Sequence, residues 1–172
     1  MNLKRLTNST PFLAFLVVII ALYFALSGSP SRYEEELTNQ ELELINGEKL
    51  DLKSLKGEYY IIHLFASWCN ICKQDYKLLN KIIRDTNVTV IGLAVNDKIS
   101  KLKTQNKFLW PYKYIAIDHD RKIAKLVKNK AIPETIIVNP EGRVIFYYIG
   151  GLDYRLVENR IIPMLNSNQD ER

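Results

Sequence analysis

Two cysteines, Cys69 and Cys72, are the residues of this chain best suited to covalent chemistry. They are the only cysteines among 172 residues, they are separated by two positions, and they directly follow Trp68. Thiols at this spacing can close a disulfide, exchange it with another protein and open again. The alternative is a pair of buried structural cysteines. Two cysteines are too few for a disulfide-stapled scaffold or a four-cysteine zinc site.

The cysteine pair lies where a buried strand gives way to an amphipathic helix. Residues 59–66 are apolar on both faces, as in a central strand, and residues 69–84 follow a helical period. Unpaired backbone N–H groups and the helix dipole favour a thiolate at the start of a helix. We therefore expect Cys69 to be the exposed nucleophile and Cys72 to be the resolving thiol. We expect Trp68 to cover the approach.

Two further polar residues are predicted to lie beneath the thiols. Asp75 falls inside the apolar stripe of the helix, which includes Ile71 and Ile82. A buried carboxylate could act as acid or base for the inner thiol, or it could hold a high pKa and so disfavour a second nearby anion. The alternative is a first-turn aspartate that bends out to water. His63, in the buried strand, is either a second proton-handling group or a satisfied core histidine, whereas His119 is expected at the surface.

Strands and helices alternate over the rest of the chain. The patterns predict a hairpin around Asn46-Gly47, strands at 59–66, 88–95 and 112–117, helices at 69–84, 99–109 and 120–130, a hairpin at 135–149 and a closing helix at 153–165. Asp118 or Asp120 is expected to cap the third helix. Such alternation is typical of an α/β fold with a mostly parallel sheet and an antiparallel edge.

The N-terminal segment is predicted to anchor the protein in a membrane. Residues 1–10 carry Lys4 and Arg5 and no acid, and residues 11–26 are an unbroken apolar run. Because this run spans only about 24 Å as a helix, the uncharged flanks are needed to complete a transmembrane segment over residues 11–30. The preceding charges predict a cytoplasmic N-terminus. An uncleaved signal anchor is favoured over a signal peptide cut near residues 25–27.

The remaining segments complete the domain organisation. We interpret residues 31–41 as an acidic linker without much structure, residues 42–165 as one globular domain and residues 166–172 as a polar tail. The net charge of +5 is uneven, because residues 97–130 carry ten Lys or Arg against three Asp. We interpret this basic stretch as a solvated surface. Neither an aromatic-interleaved RNA-binding motif nor a phosphate loop is present, so no nucleic-acid partner is predicted.

A proline precedes the penultimate strand, in the string Ile132-Pro133-Glu134-Thr135. Proline cannot donate to a ladder of backbone hydrogen bonds, so its position needs a reason. If the Ile132-Pro133 bond is cis, it exposes the backbone of Ile132 to an incoming peptide. Otherwise the proline only stops the preceding helix.

These motifs together resemble one family. The string Phe65-Ala66-Ser67-Trp68-Cys69-x-x-Cys72, followed by Pro133-Glu134-Thr135, is similar to the membrane-anchored thioredoxin-like proteins of cytochrome c maturation. These are the CcmG/DsbE group, with the related ResA and TlpA proteins. The likeness covers residues 42–165 and the anchor. It implies a thioredoxin fold with an extra β-α insertion and an N-terminal β-hairpin, preceded by one transmembrane helix.

The resemblance also implies roles for single residues. It places a cis-proline at Pro133, a substrate-binding backbone at Ile132 and Pro133, and an assisting acid at Glu134. The family has a glutamate three residues after the second cysteine, where this chain has Asp75. The chain departs from the family in lacking a proline between its cysteines. It also carries His63 where thioredoxins have a buried acid.

The implied function is that of a periplasmic thiol:disulfide oxidoreductase on the inner membrane, crossing it once and needing no cofactor or metal. By resemblance it reduces disulfides of apocytochrome c, or of a maturation partner, and a membrane thiol reductant restores it. A general periplasmic disulfide oxidase or isomerase is an alternative within the same chemistry. A copper-binding chaperone that uses the two thiols is an alternative outside it.

Overall fold

The computed structural model describes residues 10–26, 32–104 and 110–167 and divides the chain into two units, Met1–Pro30 and Ser31–Arg172. Several predicted segments lie partly outside the described residues. These are the cytoplasmic segment, the end of the anchor, the end of the second predicted helix and the polar tail. The first unit contains helix α1 (Thr10–Leu26). None of the described helices has the length and apolar character that are needed to span a membrane.

The predicted linker contains a helix, α2 (Arg32–Thr38), so the expectation of a segment without much structure was wrong. Leu37 is completely buried in the core, and Tyr33 packs against the same cluster. These two residues are four positions apart and share one face of the helix. Glu34 also accepts a hydrogen bond from the backbone of Val144, with 2.7 Å between Oε1 and N. The acidic composition of the segment concealed this single apolar stripe.

One seven-stranded sheet organises the second unit. Its strands are β1 (Glu41–Leu44), β2 (Lys49–Asp51), β3 (Tyr60–Phe65), β4 (Thr89–Val95), β5 (Tyr114–Asp118), β6 (Glu134–Val138) and β7 (Val144–Ile149). Their order is β2-β1-β5-β4-β3-β6-β7. β3, β4 and β5 run parallel, whereas β6 and β7 and the N-terminal hairpin pair antiparallel. The predicted α/β architecture is confirmed, with β4 in the middle of the sheet and β3 next to it.

Besides α2 and a short 3-10 helix, Leu52–Leu55, the described helices of the second unit are α3 (Asn70–Thr86), α4 (Ile99–Thr104), α5 (Lys122–Leu126), α6 (Tyr154–Leu156) and α7 (Ile162–Asn166), the last two joined by a π-helical segment, Val157–Ile161. α5 is much shorter than the predicted helix at 120–130. Arg121 and Lys128 on either side of it have φ angles of 54° and 52°, which a helix cannot accommodate. The N-cap residue of α5 is Arg121 rather than Asp118 or Asp120, although the Asp118 carboxylate accepts hydrogen bonds from the backbone N–H groups of Ile123 and Ala124.

The sheet buries a cluster of side chains on each face. Ile61 of β3 packs with Leu79 and Ile82 of α3 on one face. Ile62 and Leu64 pack on the other face, together with side chains of α2 and α5. Because side chains alternate along a strand, His63 shares the α3 face with Ile61. The strand that leads to the cysteines therefore presents its histidine toward the helix that carries them.

Candidate active site

The two cysteines are joined by a disulfide bond at the N-terminus of α3. Cys69 is the N-cap residue and is 7% exposed, whereas Cys72 is completely buried. The Cys69 sulfur accepts a hydrogen bond from the backbone N–H of Cys72, with 3.1 Å between the two atoms. An N–H group directed at this sulfur stabilises a thiolate there when the bond is open. The predicted order, with Cys69 outside and Cys72 inside, agrees with this geometry.

The segment before Cys69 is held by the loop that follows β4. The Asp97 carboxylate accepts hydrogen bonds from both the backbone N–H and the hydroxyl of Ser67. The indole N–H of Trp68 donates to the carbonyl of Asn96 at 3.4 Å. Trp68 directly precedes Cys69, and its side chain is 57% exposed to solvent. Its predicted role in covering the approach to the disulfide stays a prediction. The sequence analysis did not identify Asp97, which lies 30 residues from its partner.

Ile71 is 53% exposed, so its predicted place in the buried stripe of α3 was wrong. It lies in the first turn, beside the loop that follows β7 rather than beside a strand. A Cβ atom added to Gly151 would be 2.8 Å from Ile71 Cγ2. A side chain at position 151 would therefore displace Ile71, one of the two residues between the cysteines.

Asp75 is buried and turned toward the core, so the alternative of a water-facing aspartate was wrong. Its Oδ1 atom accepts a hydrogen bond from the backbone N–H of Leu152 at 2.8 Å. Its Oδ2 atom lies 3.3 Å from His63 Nε2. Both oxygens are therefore partnered, one helical turn after Cys72.

His63 is completely buried, and both of its ring nitrogens have partners. The second nitrogen, Nδ1, lies 2.8 Å from the hydroxyl of Tyr112. Burial raises the pKa of Tyr112 well above its usual range, and neighbouring Tyr76 and Asp75 raise it further. Burial likewise raises the pKa of Tyr76 to about 12. Tyr112 therefore acts as a neutral hydroxyl that can donate to the imidazole or accept from it.

The sequence analysis missed Tyr112, although a signal for it was present. Gly92 lies inside the buried strand β4, directly beside His63. A Cβ atom at this position would be 2.5 Å from Cδ2 of the Tyr112 ring. A glycine within a strand often marks such a close approach. The glycine indicates that another group packs against the backbone at position 92, but the sequence does not show which residue it is.

The peptide bond between Ile132 and Pro133 is cis, in agreement with what the resemblance implies. Pro133 is buried, and its carbonyl accepts a hydrogen bond from the N–H of Gly150 at 2.9 Å. Ile132 is half-buried against the apolar cluster that contains Cys69 and Cys72. The structure thus brings this loop to the disulfide, and its role in holding a peptide stays a prediction.

Glu134 is not brought together with the thiols. It pairs with Leu64 across the sheet, and Thr135 pairs with His63. Alternation along the strand therefore directs Glu134 to the face opposite α3. There its Oε2 atom accepts a hydrogen bond from the Asn129 side chain at 2.7 Å, and burial raises its pKa. Adjacent strand positions face opposite ways, so Glu134 does not lie on the face of α3, and its role as an assisting acid stays a prediction.

His119 is at the surface, as expected, 3.7 Å from a carboxylate oxygen of Glu43. Across the described ranges, no three His, Cys, Asp or Glu side chains are grouped so that they could hold a metal ion. The chemistry that the site offers is that of its thiols. The outer thiolate can attack a disulfide, and the inner thiol can then close the Cys69–Cys72 bond and release the substrate.

The fold and the cysteine pair define a thioredoxin-like protein, in which β5 and the N-terminal hairpin extend the sheet beyond β4. The chain matches the model of the AhpC/TSA family over residues 34–147 and belongs to that family. It is similar to the thiol-disulfide oxidoreductase ResA of Bacillus subtilis (strain 168), with 26% identity over 84% of this chain and 86% of that protein.

Other relatives give the same result. The thiol:disulfide interchange protein DsbE of Pseudomonas fluorescens biotype C is 25% identical over 88% of each chain. A crystal structure of a secreted Mycobacterium tuberculosis disulfide oxidoreductase, homologous to E. coli DsbE, superposes with a TM-score of 0.65. It covers 73% of this chain and 96% of that chain at 15% identity, and so supports the fold. The resemblance to the DsbE and ResA proteins is confirmed, and the chain is a thiol–disulfide oxidoreductase.

Proposed function

We propose that the protein works as a reductant. The observation that carries this proposal is the buried carboxylate of Asp75, one helical turn after Cys72. A disulfide is strongly oxidising when its surroundings stabilise the reduced, thiolate form. A carboxylate near the inner sulfur opposes a second negative charge there and so favours the disulfide. A site that favours the disulfide over the dithiol supports a protein that gives electrons to its substrate.

The substrate in this proposal is a disulfide of apocytochrome c or of a protein that delivers it. The Cys69 thiolate attacks one sulfur of that disulfide, forms a mixed disulfide and expels the other sulfur as a thiolate. Cys72 then attacks Cys69, which releases the second substrate sulfur and leaves the protein oxidised. Two electrons pass to the substrate, and a membrane thiol reductant restores the pair. Kinship with the DsbE and ResA proteins supports this assignment.

The proposed location is the outer face of the inner membrane, with the second unit in the periplasm. The sequence supports it, because residues 11–30 carry no charged side chain and follow Lys4 and Arg5. Positive charges ahead of an apolar run orient the N-terminus toward the cytoplasm.

A Cys72→Ser variant of the full chain, expressed in cells that make cytochrome c, tests the proposal. Without Cys72 the mixed disulfide on Cys69 cannot be resolved, so the substrate stays attached and can be identified by mass spectrometry. We expect an apocytochrome c or a dedicated maturation protein, and none with the Cys69→Ser, Cys72→Ser double variant. Capture of many unrelated secreted proteins would instead indicate a general oxidase or isomerase.

The same cells test the location. We expect the adduct in the membrane fraction, with the second unit open to protease added from the periplasmic side. Protection from that protease, or an adduct in the cytoplasmic fraction, would contradict the proposed anchor.

A further inference from the structure

The loop before β6 is fastened by the side chain of Asn129. Its Nδ2 atom lies 2.7 Å from the carbonyl oxygen of Ala131 and 2.7 Å from Oε2 of Glu134. A backbone carbonyl accepts hydrogen bonds and cannot donate one, so the amide nitrogen faces it as a donor, and its second hydrogen serves the Glu134 oxygen. Asn129 thus bridges the two residues that flank Ile132 and Pro133 in the chain.

Regular structure holds both ends of this link. Glu134 is completely buried in β6, where its register partners are Leu64 of β3 and Ile149 of β7. The backbone N–H of Asn129 donates to the carbonyl of Ala124 in α5, with 2.7 Å between the two atoms. The loop is therefore attached to a helix on one side and to the sheet on the other.

The surroundings of Glu134 suit an acceptor that holds the loop. Burial raises the pKa of its carboxyl group, whereas contacts with Asn129, with Tyr147 and with the backbone of Lys130 lower it. A buried carboxylate is costly unless hydrogen bonds compensate for the lost water. The groups that compensate here belong to the loop and to β7, so the carboxylate and the loop stabilise each other.

The link to Ala131 also determines where the next backbone N–H points. The Ala131 carbonyl and the Ile132 N–H belong to one planar trans peptide group, in which they point in opposite directions. Because Asn129 donates to the carbonyl, the Ile132 N–H is directed away from Asn129. In the described part of the chain no group accepts a hydrogen bond from this N–H. Ile132 packs against the apolar cluster that contains Cys69 and Cys72, so an unpaired donor adjoins the disulfide.

We propose that Asn129 is a positioning residue for the peptide backbone of the substrate. Through the Ala131 carbonyl it orients the Ile132 N–H toward a carbonyl beside the substrate's cysteine, and Glu134 holds the Asn129 amide in place. A main-chain hydrogen bond of this kind aligns an extended chain without regard to its side chains. The substrate sulfur is thereby presented to Cys69. The inference rests on thiol–disulfide exchange and not on the proposed substrate or direction of electron flow.

Two probes that share a leaving group test this role. Both are mixed disulfides of thiopyridine, one with the central cysteine of a blocked heptapeptide and the other with mercaptoethanol. Attack by reduced Cys69 expels pyridine thione from either probe, and its absorbance gives the rate. We expect Asn129→Ala in the full chain to slow the reaction with the peptide about three- to tenfold, the effect of one hydrogen bond. The reaction with the mercaptoethanol probe, which has no peptide backbone, should keep its rate.

Matched variants separate positioning from general damage to the loop. Asn129→Asp keeps the shape of the side chain but loses the donor, and Glu134→Leu removes the acceptor, so both should show the same selective loss. Glu134→Gln keeps an accepting oxygen and should recover the rate with the peptide. Asn80→Ala, at an exposed position of α3, should change neither rate. Equal losses with both probes, an unchanged peptide rate in Asn129→Ala, or no recovery in Glu134→Gln would overturn the proposal.

Hydrogen exchange at the Ile132 amide gives a second test. In Cys72→Ser the attached group remains on Cys69 as a stable mixed disulfide. We expect the Ile132 N–H to exchange about tenfold more slowly in the peptide adduct than in the mercaptoethanol adduct, and this difference to disappear when Asn129→Ala is added. Equal exchange in the two adducts would refute the role. A failed assignment of substrate or direction would leave both tests interpretable.

Discussion

Each cysteine has its own chemical surroundings, and these divide the exchange reaction between them. Cys69 caps α3 and receives a backbone N–H on its sulfur, which suits an attacking thiolate. Cys72 is completely buried and lies one turn before Asp75. Attack on the substrate is thereby assigned to the outer sulfur. Closure of the disulfide is assigned to the inner one.

Glu134 permits a prediction about pH at the same scale. Burial raises its pKa in the folded protein, so the folded state binds this proton more tightly than the unfolded state. Stability that depends on Glu134 is therefore fully present at low pH and is lost as the pH rises through the raised pKa. We expect the wild type to lose stability relative to Glu134→Gln as the pH rises above 4.5, the ordinary value.

Urea unfolding of both proteins at a series of pH values measures this difference. Glu58→Gln, on an exposed glutamate, is the matched control and should show no such trend. A stability difference that is independent of pH, or one that changes in the wild type's favour as the pH rises, would contradict the prediction. It would show that the fold does not disfavour the ionised form of Glu134.

Local patterns predicted the residues whose roles depend on spacing, but not those whose roles depend on distant contacts. The cysteine pair and the inward Asp75 follow from positions along one helix. Tyr112 meets His63 across 49 residues, and Asp97 meets Ser67 across 30. No periodicity encodes such pairs. The resemblance placed the cis-proline correctly, whereas it did not show that Glu134 faces the other side of the sheet.

Among the elements, α2 illustrates how a short helix joins a domain. Its sequence is acidic, but Tyr33 and Leu37 pack against the core, and Glu34 accepts a hydrogen bond from the backbone N–H of Val144. At α2 the sequence analysis missed a helix, whereas at residues 120–130 it predicted a helix that is too long, because a Lys-rich sequence favours helix. There Asn129 donates to Glu134 Oε2 and to the Ala131 carbonyl instead. Tertiary hydrogen bonds override helix propensity in that segment.

A substitution in α2 tests whether this helix belongs to the domain. Leu37→Ala removes a completely buried side chain, so we expect it to lower the free energy of unfolding by about 2–5 kcal/mol. Glu36→Ala, on an exposed residue of the same helix, should change it by less than about 0.5 kcal/mol. Denaturant unfolding of both variants gives the comparison. Equal midpoints would mean that the segment is a tether after all.

On the scale of the whole molecule, the sheet order determines where the chemistry lies. β3 is flanked by β4 and β6, and the cysteines follow at its carboxyl end. The loop after β4 holds Ser67, and the loop before β6 brings Ile132 to the disulfide. The inserted β5 begins just after Tyr112. The segment that leads into β5 therefore supplies Tyr112, whose hydroxyl lies 2.8 Å from His63 Nδ1.

The midpoint potential of the Cys69–Cys72 couple, measured in thiol redox buffers through Trp68 fluorescence, tests the central claim most directly. Asp75→Asn removes the opposing charge and should raise the potential, on the order of 30 mV, whereas Asp85→Asn at the far end of α3 should not. For the wild type we expect a potential below about −220 mV, in the range of reducing thioredoxin-like proteins. A value near about −120 mV, typical of a strong disulfide oxidant, would contradict the account.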